Sequence, residues 1–179
     1  VPFFTDAAFV AALRAALPGA VVIGCSTAGE IGAAGAADGS CILTAINFGG
    51  ARVRAATTPL AGMDDSRAAG ARIGAELAAP DLRALLVFGP GVRINGSALV
   101  DGIASRVGKS TPITGGLAGD GGKFEQTWTI GAAGVGDSAV VAVGLYGEGL
   151  GVAHGSFGGW DTFGPARKVT RCDGNILYE

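Results

Sequence analysis

Basic residues, histidine, cysteine and long uncharged runs are all scarce in this 179-residue sequence. Lys and Arg number 13 against 15 Asp and Glu, for a net charge of −2. That balance lacks the basic surface that neutralises phosphates, so nucleic-acid binding is not expected. The small basic run at 167–171 (RKVTR) reads as a solvated strand face. The single histidine, His154, cannot by itself build a zinc site. The three cysteines, Cys25, Cys41 and Cys172, are odd in number and never spaced as CxxC. This excludes a zinc ribbon or a disulfide framework and fits a reducing compartment, so a cytoplasmic protein is expected. The longest uncharged stretch, 15–29, has 15 residues and is broken by Pro18, Gly19 and Gly24, short of the ~18–20 that a membrane span needs. No secretory leader is recognisable. A Walker loop is missing too, because Gly121-Gly122-Lys123 runs into Phe124 rather than Ser or Thr. No G-x-G-x-x-G links a strand to a helix.

Glycine and apolar residues are abundant instead, with 33 Gly and 49% apolar residues. The glycines have no three-residue period, which excludes collagen, and the apolar content excludes disorder. The chain repeats itself. Residues 6–17 read as a helix, with Phe9, Leu13 and Leu17 on one face and Thr5 or Asp6 as cap. A short strand at 20–24 and a turn, Ala28-Gly29-Glu30, follow. About 90 residues later the order returns: a helix at 97–107, a strand at 112–115, and the turn Ala118-Gly119-Asp120. Each half then offers a hairpin. Residues 41–48 (CILTAINF) face 52–57 across Gly49-Gly50, and 139–146 (AVVAVGLY) face 150–154 across Gly147-Glu148. The second copy carries about eight extra residues around 126–137.

An apolar strand at 84–88 precedes the second helix, and a matching strand is expected ahead of residue 1. A helix at 65–79 links the copies. Its Ala and Gly suit close packing on a sheet, and Arg72 and Glu76 are spaced for an i,i+4 pair. The expectation is a single α/β domain over 1–179. It consists of two pseudo-repeated β-α-β-β-β units, 1–63 and 84–157, forming mixed, largely antiparallel sheets flanked by helices. AVVAVGLY reads as a central strand covered on both faces. The chain starts without Met and stops in mid-pattern at Leu177-Tyr178-Glu179, so truncation at both ends is expected.

Several residues could carry chemistry. Gly24-Cys25-Ser26-Thr27-Ala28-Gly29 approaches a nucleophile elbow but has Ala where G-x-S-x-G needs its second Gly. A Cys25 or Ser26 hydrolase would need His154 as base. Otherwise Ser26 and Thr27 shape the turn; together with Trp160 they are also expected among the ligand-binding residues. Glu30 and Asp120 hold equivalent positions in the two copies and could flank one cleft, gripping an ammonium group while Gly-rich backbone N–H groups hold a carboxylate. An amino-acid-like ligand satisfies both; alternatively each acid closes its own turn. Arg93 and Asn95 lie in the loop 89–96 between a buried strand and a helix, a place where binding residues gather. Arg93 could fork onto a ligand carboxylate, and Asn95 could cap the helix or bond a ligand. Trp160, between glycines and Asp161, is either a contact anchor or plain core.

Four stretches together resemble the N-terminal FIST domain, a sensory domain of bacterial signal-transduction proteins. They are GCSTAGEIG at 24–32, INGSALVDGI at 94–103, GGLAGDGGKFEQTWTIG at 115–131 and VVAVGLYGEGLGVAHGSFGGWDTFGPARKVTRCDGNILYE at 140–179. The resemblance implies sensing of a small ligand, with amino acids as the class, and no enzymatic activity. It also implies a C-terminal FIST domain beyond Glu179 and output through a histidine kinase, chemotaxis or cyclic-dinucleotide module. Some members bind haem as nitric-oxide sensors, a role for which His154 would be the available imidazole. This chain has Pro90-Gly91 where the family usually has Asp-Gly after the strand.

Overall fold

In a computed structural model, residues 7–153, 155, 157–159, 161–173 and 176–179 are described. His154 and Trp160 lie outside the described residues. The centre is a four-stranded sheet of β4 (Arg52–Pro59), β5 (Leu82–Gly89), β6 (Ile113–Leu117) and β9 (Ala139–Tyr146), in the order β4-β9-β5-β6. Strand β9 runs antiparallel to both β4 and β5, while β5 and β6 are parallel. The parallel pair needs a crossover, and α3 (Gly96–Val107) supplies it. Helix α2 (Ser66–Leu77) connects β4 to β5. With α1 (Ala7–Ala16) and a small sheet of β1 (Gly24–Cys25), β7 (Thr129–Gly131) and β8 (Gly134–Gly136), the fold is α/β with mixed sheets.

The core lies where α2 and α3 cover one face of the main sheet. Ile73 and Leu77 of α2 and Leu99 and Ile103 of α3 pack on Leu85, Val87, Val140 and Ala142. Each large side chain contributes about 1.5–3 kcal/mol by leaving water. On the opposite face Val141 meets Gly131 of β7, where an added Cβ would fall 2.8 Å from Val141 Cγ1. Strand β9 is therefore central and covered on both sides, as its unbroken apolar pattern requires. Buried Tyr146 closes its end: the hydroxyl donates to Leu77 O at 2.7 Å, and Arg52, paired to Asp81 at 3.1 Å, stacks on the ring.

The two helices touch backbone to backbone. A Cβ on Gly70 would stand 2.1 Å from Leu99 O, and one on Gly102 would stand 2.1 Å from Arg67 O. The small residues of the linking helix thus admit another helix, not only the sheet. Nor does Arg72 pair with Glu76. It reaches Asp65 at 2.8 Å, Thr58 Oγ1 at 2.7 Å and the Pro59 carbonyl at 2.7 Å. A forked donor there satisfies a carboxylate and the end of β4 together.

Both expected hairpins are corrected. Their turns form: Gly49 has φ 64° and donates to Asn47 Oδ1, and Gly147 has φ 129°. The ladders do not. Strand β4 pairs with β9 from Arg52↔Tyr146 to Pro59↔Ala139, and β9 gives its other edge to β5. Burying β9 demands a neighbour on each side, and both places are taken by distant strands rather than by 150–153, while β4 makes its ladder with β9 rather than with 41–48. Residues 41–48 carry no ladder, and Leu43 and Ile46 are more than 60% exposed. The strand expected at 20–24 shrinks to Gly24–Cys25, and two hairpins not foreseen appear, β2 (Glu30–Gly32) with β3 (Gly35–Ala37) and β7 with β8.

Candidate functional site

Parallel strands β5 and β6 end side by side, Gly89↔Leu117, and release the loops 90–95 and 118–128 from the same end of the sheet. Ligands of open α/β sheets gather beyond the carboxyl ends of such strands. The first loop is pinned at both ends. Gly91 N donates to Thr127 Oγ1 at 2.8 Å, and a Cβ on Gly91 would sit 1.8 Å from Ala118 O, so only glycine fits against the second loop. At the far end Asn95 N donates to buried Ser66 Oγ at 2.9 Å, and Asn95 Oδ1 accepts from Ala98 N at 3.0 Å. Asn95 thereby caps α3, the first of its two expected roles.

Between the pins Arg93 is held at φ 58°, one of two described non-glycine residues with positive φ; the other is Phe124. Arg93 lines a cleft of about 560 Å³. Leu60, Ala61 and Gly62 wall it after β4, Pro90 and Val92 after β5, Glu125–Thr127 from the second loop, and Asp137 and Ser138 ahead of β9. Among the described residues the Arg93 guanidinium has no carboxylate in ion-pair range, and the Glu125 carboxylate has no cation there. Asp137 is oriented by Gln126 Nε2, which donates to Oδ2 at 2.9 Å. One cationic and two acidic residues, all exposed, therefore line the same partly apolar cleft. Such a surface can hold a small molecule carrying both charges.

Ser26, Thr27, Glu30 and Asp120 do not line this cleft. Ser26 is buried and acts as a strut: its N–H donates to Trp128 O at 2.9 Å, its Oγ accepts from Trp128 N at 3.0 Å, and its carbonyl accepts from Gly119 N at 2.8 Å. That last bond brings the two recurring turns into contact. Thr27 Oγ1 donates to Glu30, whose other oxygen accepts from Ser40 N at 3.0 Å and Ser40 Oγ at 2.8 Å. Asp120 accepts from the backbone N–H groups of Lys123, Phe124, Glu125 and Gln126. Each acid is thus engaged by hydrogen bonds: Asp120 within its own loop, Glu30 with Thr27 of its turn and with Ser40. Cys25 is half-buried, and burial pushes its thiol pKa up, away from nucleophilic thiolate. Among the described residues lining the cleft, none supplies an imidazole, thiolate, thioether or phenolate, the usual protein ligands of haem iron. Nor do the described residues gather three potential metal-ligating side chains.

Glu125, Gln126, Thr127 and Asp137 were not foreseen as site residues, although all four fall within or beside the extra segment of the second copy. That insertion was the available signal.

The carboxylates in the turns make acid sensitivity testable. The Thr27 hydroxyl and then Ser40 hold Glu30 below its ordinary range, and the Glu125 N–H followed by its neighbours does the same for Asp120. A depressed folded pKa stabilises fully above the unfolded value and loses that contribution as pH falls through the folded one. The thermal midpoint of the wild type should therefore decline below about pH 4. Glu30→Gln/Asp120→Asn should decline less steeply; identical midpoint–pH slopes from circular dichroism melts would refute the assignment.

The family model described as FIST N domain matches residues 2–179. No curated protein matches the chain, and no solved structure does.

Proposed function

The chain belongs to the FIST N domain family, a family of sensory domains, and from that premise we propose that it senses an amino acid or similar zwitterionic metabolite in the cleft beyond β5. The observation that carries this reading is the meeting of an unpaired guanidinium, Arg93, with the carboxylates of Glu125 and Asp137 in one cavity. A guanidinium recognises a carboxylate by two parallel hydrogen bonds, and a carboxylate accepts from an ammonium. Glu30 and Asp120 serve this site indirectly, Glu30 by fixing the turn that abuts Gly119 and Asp120 by shaping the loop that presents Glu125 and Gln126.

Output passes to a separate module, a kinase, chemotaxis or cyclic-dinucleotide protein, within a bacterial cytoplasm. A C-terminal FIST domain is the proposed neighbour, and the exposed apolar residues Ile31, Ile42, Leu43 and Ile46 support that reading. No helix among the described residues is long and apolar enough to cross a membrane. The haem reading draws no support from the cleft, and His154 lies outside the described residues.

A thermal-shift screen against the twenty amino acids tests the proposal. A ligand at 100 times its Kd adds about 2.7 kcal/mol, or about 5–10 °C for a domain of this size. Arg93→Ala should weaken the response about 10–100-fold. The absence of any shift across the set would end this reading.

A further inference from the structure

We propose that the preferred ligand is a basic amino acid, carrying one carboxylate and two cationic groups; this rests on the amino-acid reading of the same cleft. The argument is a charge balance. Among the described residues lining the cavity, Arg93, Glu125 and Asp137 are the ionisable ones, all exposed, and together they bring one positive and two negative charges to it. A ligand that fills the cleft displaces water from those groups, and any charge left without a partner is then costly. An amino acid with a neutral side chain engages Arg93 and one carboxylate and strands the other. An acidic amino acid brings a second carboxylate against two already present. A lysine- or arginine-sized ligand closes the set: its carboxylate takes Arg93, its α-ammonium one acid, and its side-chain cation the other.

Three further features fit the same ligand. Gln126 holds Asp137 through Oδ2 alone at 2.9 Å, which leaves Oδ1 free to accept. Glu125 spends only its backbone N–H on the loop, donated to Asp120 at 2.8 Å, so its carboxylate is uncommitted. Partly exposed Val92 provides apolar surface for a methylene stem that joins two charged ends, and a cavity of about 560 Å³ admits one of that length.

Calorimetric titration with L-lysine and L-norleucine isolates the claim, since the two differ by the terminal ammonium. The wild type should bind L-lysine about tenfold or more tightly than L-norleucine, as expected of a hydrogen bond to a charged group. Glu125→Gln/Asp137→Asn should erase that preference while keeping the wild-type far-ultraviolet spectrum. Equal affinity of the wild type for the two ligands, or a preference that survives in the double variant, overturns the basic-ligand assignment and leaves amino-acid sensing standing. Failure of L-lysine, L-norleucine and every other amino acid to bind overturns both.

Discussion

Gly70→Val is expected to cost more than about 3 kcal/mol and to lower the thermal midpoint by more than about 6 °C. The first atom of the new side chain would lie 2.1 Å from Leu99 O and 3.0 Å from the Ile103 nitrogen. These are backbone atoms within α3, so no rotamer change relieves the overlap. Relief requires α2 and α3 to part, and Ile73, Leu77, Leu99 and Ile103 would lose their packing on the sheet together. Gly50→Ala is the matched control. A Cβ there meets nothing within 4 Å and the residue has no positive φ, so the change should stay within about 0.5 kcal/mol. Urea melts of the two variants decide the matter; similar midpoints would mean that the helices do not approach as closely as drawn.

Gly91→Ala should act on the site and not only on stability. Its methyl would fall 1.8 Å from Ala118 O and 3.0 Å from Thr127 Cγ2, forcing the loop 90–95 away from the loop 118–128. The Gly91–Thr127 hydrogen bond of 2.8 Å breaks, and Arg93 moves relative to Glu125. Overpacking of this kind costs about 1–3 kcal/mol, while L-lysine binding should weaken more than about tenfold, since misplaced charges lose their hydrogen bonds. A variant that folds and retains wild-type affinity would show that this contact does not shape the cleft.

The helices and the central strand were legible because their signals are local. Phe9 and Leu13 recur at helical spacing in α1, Asn95 caps α3 as a short polar side chain can, and β9 lacks the alternation of a half-exposed strand. Strand pairing was not legible. Gly49 and Gly147 announce turns, and a turn between apolar runs suggests a hairpin, yet whether its arms pair depends on which distant strand competes. The competition for β9 was won by β4 and β5, about 90 and 60 residues away in sequence. The α2–α3 contact shows the same limit: Gly70, Gly74 and Gly102 signal a close approach without naming the partner. At the site, Arg93 could be read from its place after a buried strand. Glu125 and Asp137 had only the extra segment of the second copy to mark them, because the loop 118–128 and the hairpin β7–β8 carry them to the cleft through tertiary contacts. Glu30 and Asp120, alike in sequence, meet different partners: Glu30 accepts from Thr27 and Ser40, and Asp120 from four N–H groups of its own loop.

The meeting of α2 and α3 without intervening side chains has a mechanical consequence. Ordinary helix pairs are cushioned by interlocked side chains that can change rotamer and take up a small displacement. Here Gly70 and Gly102 leave no such cushion. The loop that bears Arg93 runs directly into the first turn of α3, through Asn95. A displacement of the loop that bears Arg93 would therefore pass from α3 to α2 with little of it taken up by side chains at the Gly70–Gly102 contact.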